Sequence, residues 1–333
     1  MRLFQGAIAF LLLTGILIAT GVYQYAQYKH QSIRVTQPQL IKINSGQSAA
    51  GVIKQLVTQD VIKKSLWSKV LFRLEPKFAK LKSGTYELLP GMRLSDVLRM
   101  MRKGDEKLFS ITLVEGLRWR DWYAQIINTP NILSGEFDEQ QLLKELSISS
   151  GSLEGWLMPD TYWFHDGYSV KQLVEVAYQA MQDYLAEQWP SRDQGLPYTS
   201  QYEALIMASI IEKETAVAQE RAHIAGVFVN RLNNHMRLQT DPTVIYGLGD
   251  QFDGDIKRAD LRRLTPYNTY RINGLPPTPI AMSGKAAIDA ALHPATTDDL
   301  YFVAKGDGSH HFSASLQEHN QAVKRYQLNQ SGQ

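Results

Sequence analysis

The residues Ala-Leu-Ile-Met-Ala-Ser-Ile-Ile-Glu-Lys-Glu-Thr at 204–215 form a nearly unbroken apolar body that ends in two carboxylates around one lysine. Read as a helix, each residue turns about 100°, so Glu212 and Glu214 stand about 200° apart and share no face. One can point into a cleft while the other meets solvent or a structural partner. Their neighbours differ. One and two turns before Glu214 stand Ile210, Ile211 and Met207, whereas Ser209, Ala208 and Leu205 precede Glu212. Apolar neighbours desolvate a carboxyl and raise its pKa, which keeps it protonated near neutral pH, as a general acid requires. Glu214 is therefore the candidate acid and Glu212 a supporting group. The alternative is a solvated helix end at which neither carboxyl reacts.

The loops that follow suit a carbohydrate. Residues 237–241 (Arg-Leu-Gln-Thr-Asp) and 267–270 (Tyr-Asn-Thr-Tyr) mix hydrogen-bonding side chains with flat aromatics. Sugars present hydroxyl rims and C–H faces that such a mixture can hold. Gln239, Thr240, Asp241, Tyr267, Asn268, Thr269 and Tyr270 are the candidate contacts, with plain turn formation at Asp241-Pro242 as the competing reading. Common signatures of other chemistries are missing: the sequence contains no GxxxxGK[ST], GxSxG or HExxH. His310, His311 and His319 form a cluster whose spacing matches no common metal motif, so neither metal nor cofactor is expected.

Two modules position these residues. A basic α+β module is expected first, with strands at 40–43, 84–89 and 109–114 and helices at 48–58, 61–74, 94–101 and 118–127. From about residue 150 the pattern turns helical. Helices are expected at 170–189, 202–214, 219–232, 284–292 and 315–326, with a strand at 300–304. The stretch between 233 and 283 reads as long loops with enough irregular backbone to build a cleft.

The 333 residues give room for about two domains. Charge is uneven: residues 29–108 carry 16 Lys/Arg against 6 Asp/Glu, whereas 109–333 carry 18 against 27. The overall charge of +2 gives no global polycation, so nucleic acid is not an expected partner. Cysteine is absent, which removes disulfides and thiolate chemistry. No charge occurs from Leu3 to Tyr28, and the 18 positions 6–23 span about 27 Å as a helix, enough for a bilayer core. Tyr23, Tyr25 and Tyr28 followed by Lys29 resemble an interfacial belt. A retained anchor is favoured over a cleaved signal peptide, whose apolar region is usually about 7–15 residues. Arg2 and the α-amine balance Lys29 and Arg34, so charge alone does not orient the span.

The chain resembles the YceG-like endolytic murein transglycosylases over nearly its whole length. The matching stretches include SGTYELLPGM (83–92), LVEGLRWRDW (113–122), LEGWLMPDTY (153–162), ASIIEKETAVAQER (208–221), VFVNRL (227–232), MRLQTDPTVIYGLG (236–249), TPYNTYRINGLPPTPI (265–280) and HPATTDDLYFV (293–303). The resemblance implies an α+β protein with a membrane anchor (1–28), a linker (29–39), a LysM-like basic domain (40–108), a connecting segment (109–150) and a mainly helical catalytic domain (151–333) whose loops form a glycan cleft. It also implies cleavage of the MurNAc–GlcNAc bond in nascent strands to leave 1,6-anhydro-MurNAc ends. The family's essential glutamate falls in the Glu-Lys-Glu segment and maps to Glu214, and Tyr246 joins the supporting residues. The implied setting is the cytoplasmic membrane with 29–333 on the periplasmic side, and the implied partners are glycan strands, membrane lipid through the anchor, and peptidoglycan synthases. Two other readings are a non-catalytic glycan-binding scaffold and a metal-dependent hydrolase using the histidine cluster.

Overall fold

The computed structural model describes residues 2–328; the expected outer bounds at Met1 and Gln333 lie outside the described residues. Helices and short strands alternate, and the chain divides into two compact units. The first comprises 1–109 with 163–167, and the second 110–162 with 168–333.

The first unit opens with α1 (Arg2–Lys29), the apolar helix expected from the sequence and long enough to cross a membrane. A helix of this kind serves as an anchor or as a signal sequence. β1 (Gln39–Ile43), α2 (Ala49–Thr58), α3 (Trp67–Leu74), β2 (Gly84–Leu88) and α4 (Leu94–Lys103) follow. β1 and β2 pair antiparallel with Ile41 opposite Tyr86. Their inward residues meet Val52, Leu56, Leu94, Leu98 and Met101 in one core, the period-2 and period-3.6 patterns facing each other. α4 stops at Gly104, whose φ of 83° is a left-handed conformation that costs glycine little. The helix expected over 61–74 is shorter. Asp60 turns left-handed (φ 53°), and Val61 and Ile62 are then buried from a bend whose N–H groups donate back to Leu56 O. Helix resumes only at Trp67.

The chain passes between the units in β3 (Leu108–Leu113). The second unit adds α5 (Trp119–Ile127), β4 (Ile132–Leu133) and α6 (Glu139–Glu145), and then β5 (Asp160–His165), which pairs with β3. β6 (Tyr168–Ser169) runs into α7 (Val170–Gln188), capped by Ser169 and stopped ahead of Pro190. Next come α8 (Gln201–Glu214) and α9 (Arg221–Asn233). The expected long loop from 233 to 283 contains two short helices, α10 (Asp241–Leu248) and α11 (Arg258–Arg262). Pro242 occupies the first turn of α10, where its missing N–H costs nothing; it starts a helix rather than a turn. α12 (Lys285–Leu292), the antiparallel pair β7 (Tyr301–Ala304) and β8 (His310–Ser313), and α13 (Leu316–Val323) complete the unit. Its core centres on α8, with Leu205, Met207, Ile210 and Ile211 packed among Ile224, Phe228, Ile288 and Leu292.

Candidate active site

α8 is held at both ends and along its length. Ser200 Oγ accepts from Glu203 N (3.2 Å) while the Glu203 carboxylate accepts from Ser200 N, a reciprocal cap. Residues 204–211 are all buried. Ser209 Oγ donates to Ile206 O (2.7 Å) and accepts from Ile280 N (2.9 Å), so the one polar group of this body is satisfied. Thr215 turns extended (φ −146°, ψ 136°), which makes Glu214 the last helical residue. A fully packed helix thus delivers one carboxyl at its negative end.

That carboxyl opens onto a cavity of about 500 Å³, lined also by Gln239, Thr240, Asp241 and Tyr270. Thr240 Oγ1 donates to Glu214 Oε1. Tyr270 donates its hydroxyl to Asp241 Oδ1 (2.6 Å), and Arg231 Nη2 donates to Gln239 Oε1 (2.7 Å). Gln239 adopts φ 52°, a strained conformation for a residue with a Cβ, and is fixed there by its N–H on Thr269 O (3.2 Å). Arg231, Tyr301, His310 and His319 close the other wall. Sequence reasoning did not single out Arg231 or Tyr301.

Burial pushes the Glu214 carboxyl up to about 7, against the Thr240 hydrogen bond and with help from the charge of Asp241; His310 opposes the rise. Its place at a helix C-terminus further disfavours the anion. A group poised at that value can donate a proton and then take one back at neutral pH. Glu212 is raised too, by desolvation, but it faces away: its Oε2 accepts from Gly284 N (3.0 Å). The two carboxyls therefore occupy different surroundings, as a 200° separation requires.

The remaining candidates do not converge on the cavity. Thr269 lies beneath it, with Oγ1 accepting from Thr240 N (3.0 Å). Asn268 is buried, donating to the carbonyls of Asp260 and Arg263 (3.0 and 2.6 Å) and accepting from Tyr270 N (3.0 Å), so it shapes the loop. Tyr246 and Tyr267 pack as a tilted pair with ring centres 4.9 Å apart, and Tyr246 donates to the buried carboxyl of Glu154 (3.2 Å). Glu154, also raised to about 7 by burial, is a second buried acid that the sequence reading passed over. Its only signal was an acid within the otherwise apolar stretch Leu153–Met158.

The three histidines part company. Alternation along β8 sends His310 and His311 to opposite faces. His310 Nδ1 lies 2.8 Å from Glu220 Oε2, His311 lies against Tyr326, and His319 stacks on Tyr301. Among the described residues no group of three His, Asp or Glu side chains has metal-holding geometry.

Fold and site define a class: a basic α+β unit that carries an apolar helix, and a mainly helical unit built round a buried, protonatable carboxyl. Comparison with known proteins places that class. Residues 41–325 match the model of the YceG-like family. The endolytic murein transglycosylase of Bacillus subtilis is 32% identical, with 93% of this chain and 91% of that protein aligned. That of Streptococcus pneumoniae serotype 2 is 29% identical over 75% of this chain; the chain spans about half of its length (51%). A 2.6 Å crystal structure of a yceG-like protein from Listeria monocytogenes is similar to this one with a TM-score of 0.52, at 31% identity, covering 86% of this chain and 99% of that one. The chain belongs to the YceG-like family.

Proposed function

We propose that the protein is a membrane-anchored endolytic transglycosylase that cuts MurNAc–GlcNAc bonds in nascent peptidoglycan strands and thereby ends their elongation. The observation that carries this reading is the Glu214 carboxyl, raised to about 7 on the wall of a 500 Å³ cavity. Protonated Glu214 gives its proton to the glycosidic oxygen as the bond to MurNAc C1 breaks. The resulting carboxylate then accepts the proton of the MurNAc C6 hydroxyl while O6 bonds to C1. The product is a 1,6-anhydro ring, no water is consumed, and one carboxyl serves both steps, where a hydrolase needs two. Asp241, Tyr270, Gln239 and Thr240 contact the sugar, and the negative charge of Asp241 stabilises the positive charge that develops at C1. Glu212, Tyr246, Tyr267, Asn268 and Thr269 support the walls. Residues 151–333 carry the chemistry, and the basic, LysM-like 40–108 segment holds glycan near synthase partners.

Asp241 on the same cavity favours one competitor, a two-carboxylate hydrolase with Asp241 as base. Digestion of purified sacculi followed by mass spectrometry separates the readings. Anhydro ends are expected; reducing ends would establish the hydrolase, and intact strands a scaffold.

The pH profile gives a finer check. The acid step needs protonated Glu214, so activity is expected to fall as pH rises through about 7. Thr240→Val removes a hydrogen bond that favours the anion, so the alkaline limb should move to higher pH. Asp241→Asn removes a repelling charge, so the limb should move to lower pH. Shifts of the same sign would show that another group sets the limb.

Residues 29–333 are assigned to the periplasmic side of the cytoplasmic membrane, where this substrate lies. A phosphatase that folds only in the periplasm, fused after Gln333, should be active. Activity instead from a reporter restricted to the cytoplasm would reverse the topology.

A further inference from the structure

We propose that the groove between α2 and α3 is a second membrane-contact site, one that takes the headgroup and upper acyl chain of an anionic phospholipid in the leaflet where α1 ends. The inference rests on the anchor reading of α1. Three observations within the first unit carry it.

α1 does not leave the bilayer free of the domain. Gly21, Tyr25 and Tyr28 form one helical face turned to the protein, while the rest of the span is largely exposed. A Cβ at Gly21 would lie 3.8 Å from the Trp67 ring, and the Tyr25 and Trp67 ring centres are 6.2 Å apart. Tyr25 donates its hydroxyl to Glu75 Oε1 (2.7 Å), and Lys29 Nζ pairs with the same oxygen (2.5 Å). The last two turns of α1 are therefore clamped to α3 at Trp67 and just beyond its end at Glu75.

That clamp fixes depth. Gly21 belongs to the uncharged run of residues 6–23 that spans the hydrocarbon. Trp67 beside it is carried to the rim of the bilayer, where indole rings prefer to sit. Leu66, the preceding residue, is 85% exposed and packs on nothing that would account for it in water.

The groove next to Leu66 matches an anionic amphiphile. It encloses about 720 Å³, with Ile53, Val57 and Phe72 on its apolar walls. Lys54, Lys64 and Lys69 stand on its rim, exposed and without an ion pair among the described residues. An apolar floor under unpaired cations fits an acyl chain below a phosphate, each such cation being drawn to an anionic leaflet. A glycan strand has no acyl chain to fill the apolar walls of Ile53, Val57 and Phe72.

The absence of cysteine permits single labels on the full chain. Leu66→Cys and, separately, Leu12→Cys carry a nitroxide in vesicles of phosphatidylcholine with or without phosphatidylglycerol. Collision with oxygen against a water-soluble nickel chelate reports depth. Leu12→Cys is expected deep in the bilayer and Leu66→Cys at headgroup depth. The Leu66→Cys oxygen-to-nickel ratio should rise severalfold on adding phosphatidylglycerol. Adding Lys54→Glu, Lys64→Glu and Lys69→Glu should return this label to water and leave Leu12→Cys unmoved, with melting curves as the folding control. A water-exposed Leu66→Cys beside a buried Leu12→Cys overturns the proposal and spares the anchor. A water-exposed Leu12→Cys instead refutes the anchor itself. Indifference of Leu66→Cys to anionic lipid, or its displacement by soluble glycan strands, also overturns the assignment.

Discussion

Glu214→Gln is expected to lower anhydro-muropeptide release from sacculi by at least 10²–10⁴-fold, the usual loss of general acid–base catalysis. The loss should lie at or beyond the upper end because in the proposed mechanism one carboxyl serves bond breaking and ring closure alike. Glutamine keeps the volume of the side chain and can still accept from Thr240 Oγ1, so the cavity keeps its shape. Glu212→Gln should cost far less, because its carboxyl accepts from Gly284 N and does not line the cavity. Product release by both purified variants, beside wild type and with thermal melts as a fold control, measures the difference. A dead Glu212→Gln with an active Glu214→Gln would put the acid on the other face of α8. Full activity in both would remove the enzymatic reading of this helix.

The contrast between the two glutamates was legible because it depends only on helix geometry and on residues within two turns. The apolar body of residues 204–211 announced burial, and the 200° separation announced different surroundings. The opposite wall was not legible. Arg231, Tyr301, His310 and His319 arrive from α9, β7, β8 and α13, and no local pattern says that these elements meet α8. The histidine trio makes a related point. Proximity in sequence suggested a cluster, but alternation along β8 gives His310 to Glu220 and His311 to Tyr326. Asp241-Pro242 read as a turn because both residues favour turns; a proline in a first helical turn looks the same from sequence and here begins α10. Val61 and Ile62 kept the apolar spacing of a helix while burying themselves from a bend, so periodicity alone overextended α3.

Glu154 carries the second large expected effect, on stability. The residue is 4% exposed. Oε1 accepts from Trp119 N (3.0 Å) at the start of α5, and Oε2 accepts from the Tyr246 hydroxyl (3.2 Å). Burial raises it to about 7 from 4.5, only partly offset by these bonds and by Arg118. Between those values the folded protein holds a proton that the unfolded chain has lost, so stability is full below 4.5 and falls as pH rises through 7. A shift of this size corresponds to about 3 kcal/mol. Glu154→Gln has no proton to lose. Between pH 5 and pH 8, a window that holds most of this term, it should therefore lose about 2.5 kcal/mol less than wild type in urea denaturation. Glu214→Gln should flatten the curve by a comparable amount, since its carboxyl is raised to the same value. The two acids share no hydrogen-bond partner, so the double variant should show nearly the sum. Equal pH dependence in wild type and Glu154→Gln would mean that Glu154 ionises in the folded protein as readily as in water. Glu154→Ala separates charge from packing: it leaves the Trp119 N–H and the Tyr246 hydroxyl without their acceptor, and should destabilise at both pH values by about 1–3 kcal/mol. The fold thus spends stability at neutral pH on two buried acids, and of the two only Glu214 opens onto the cavity proposed to hold the sugar.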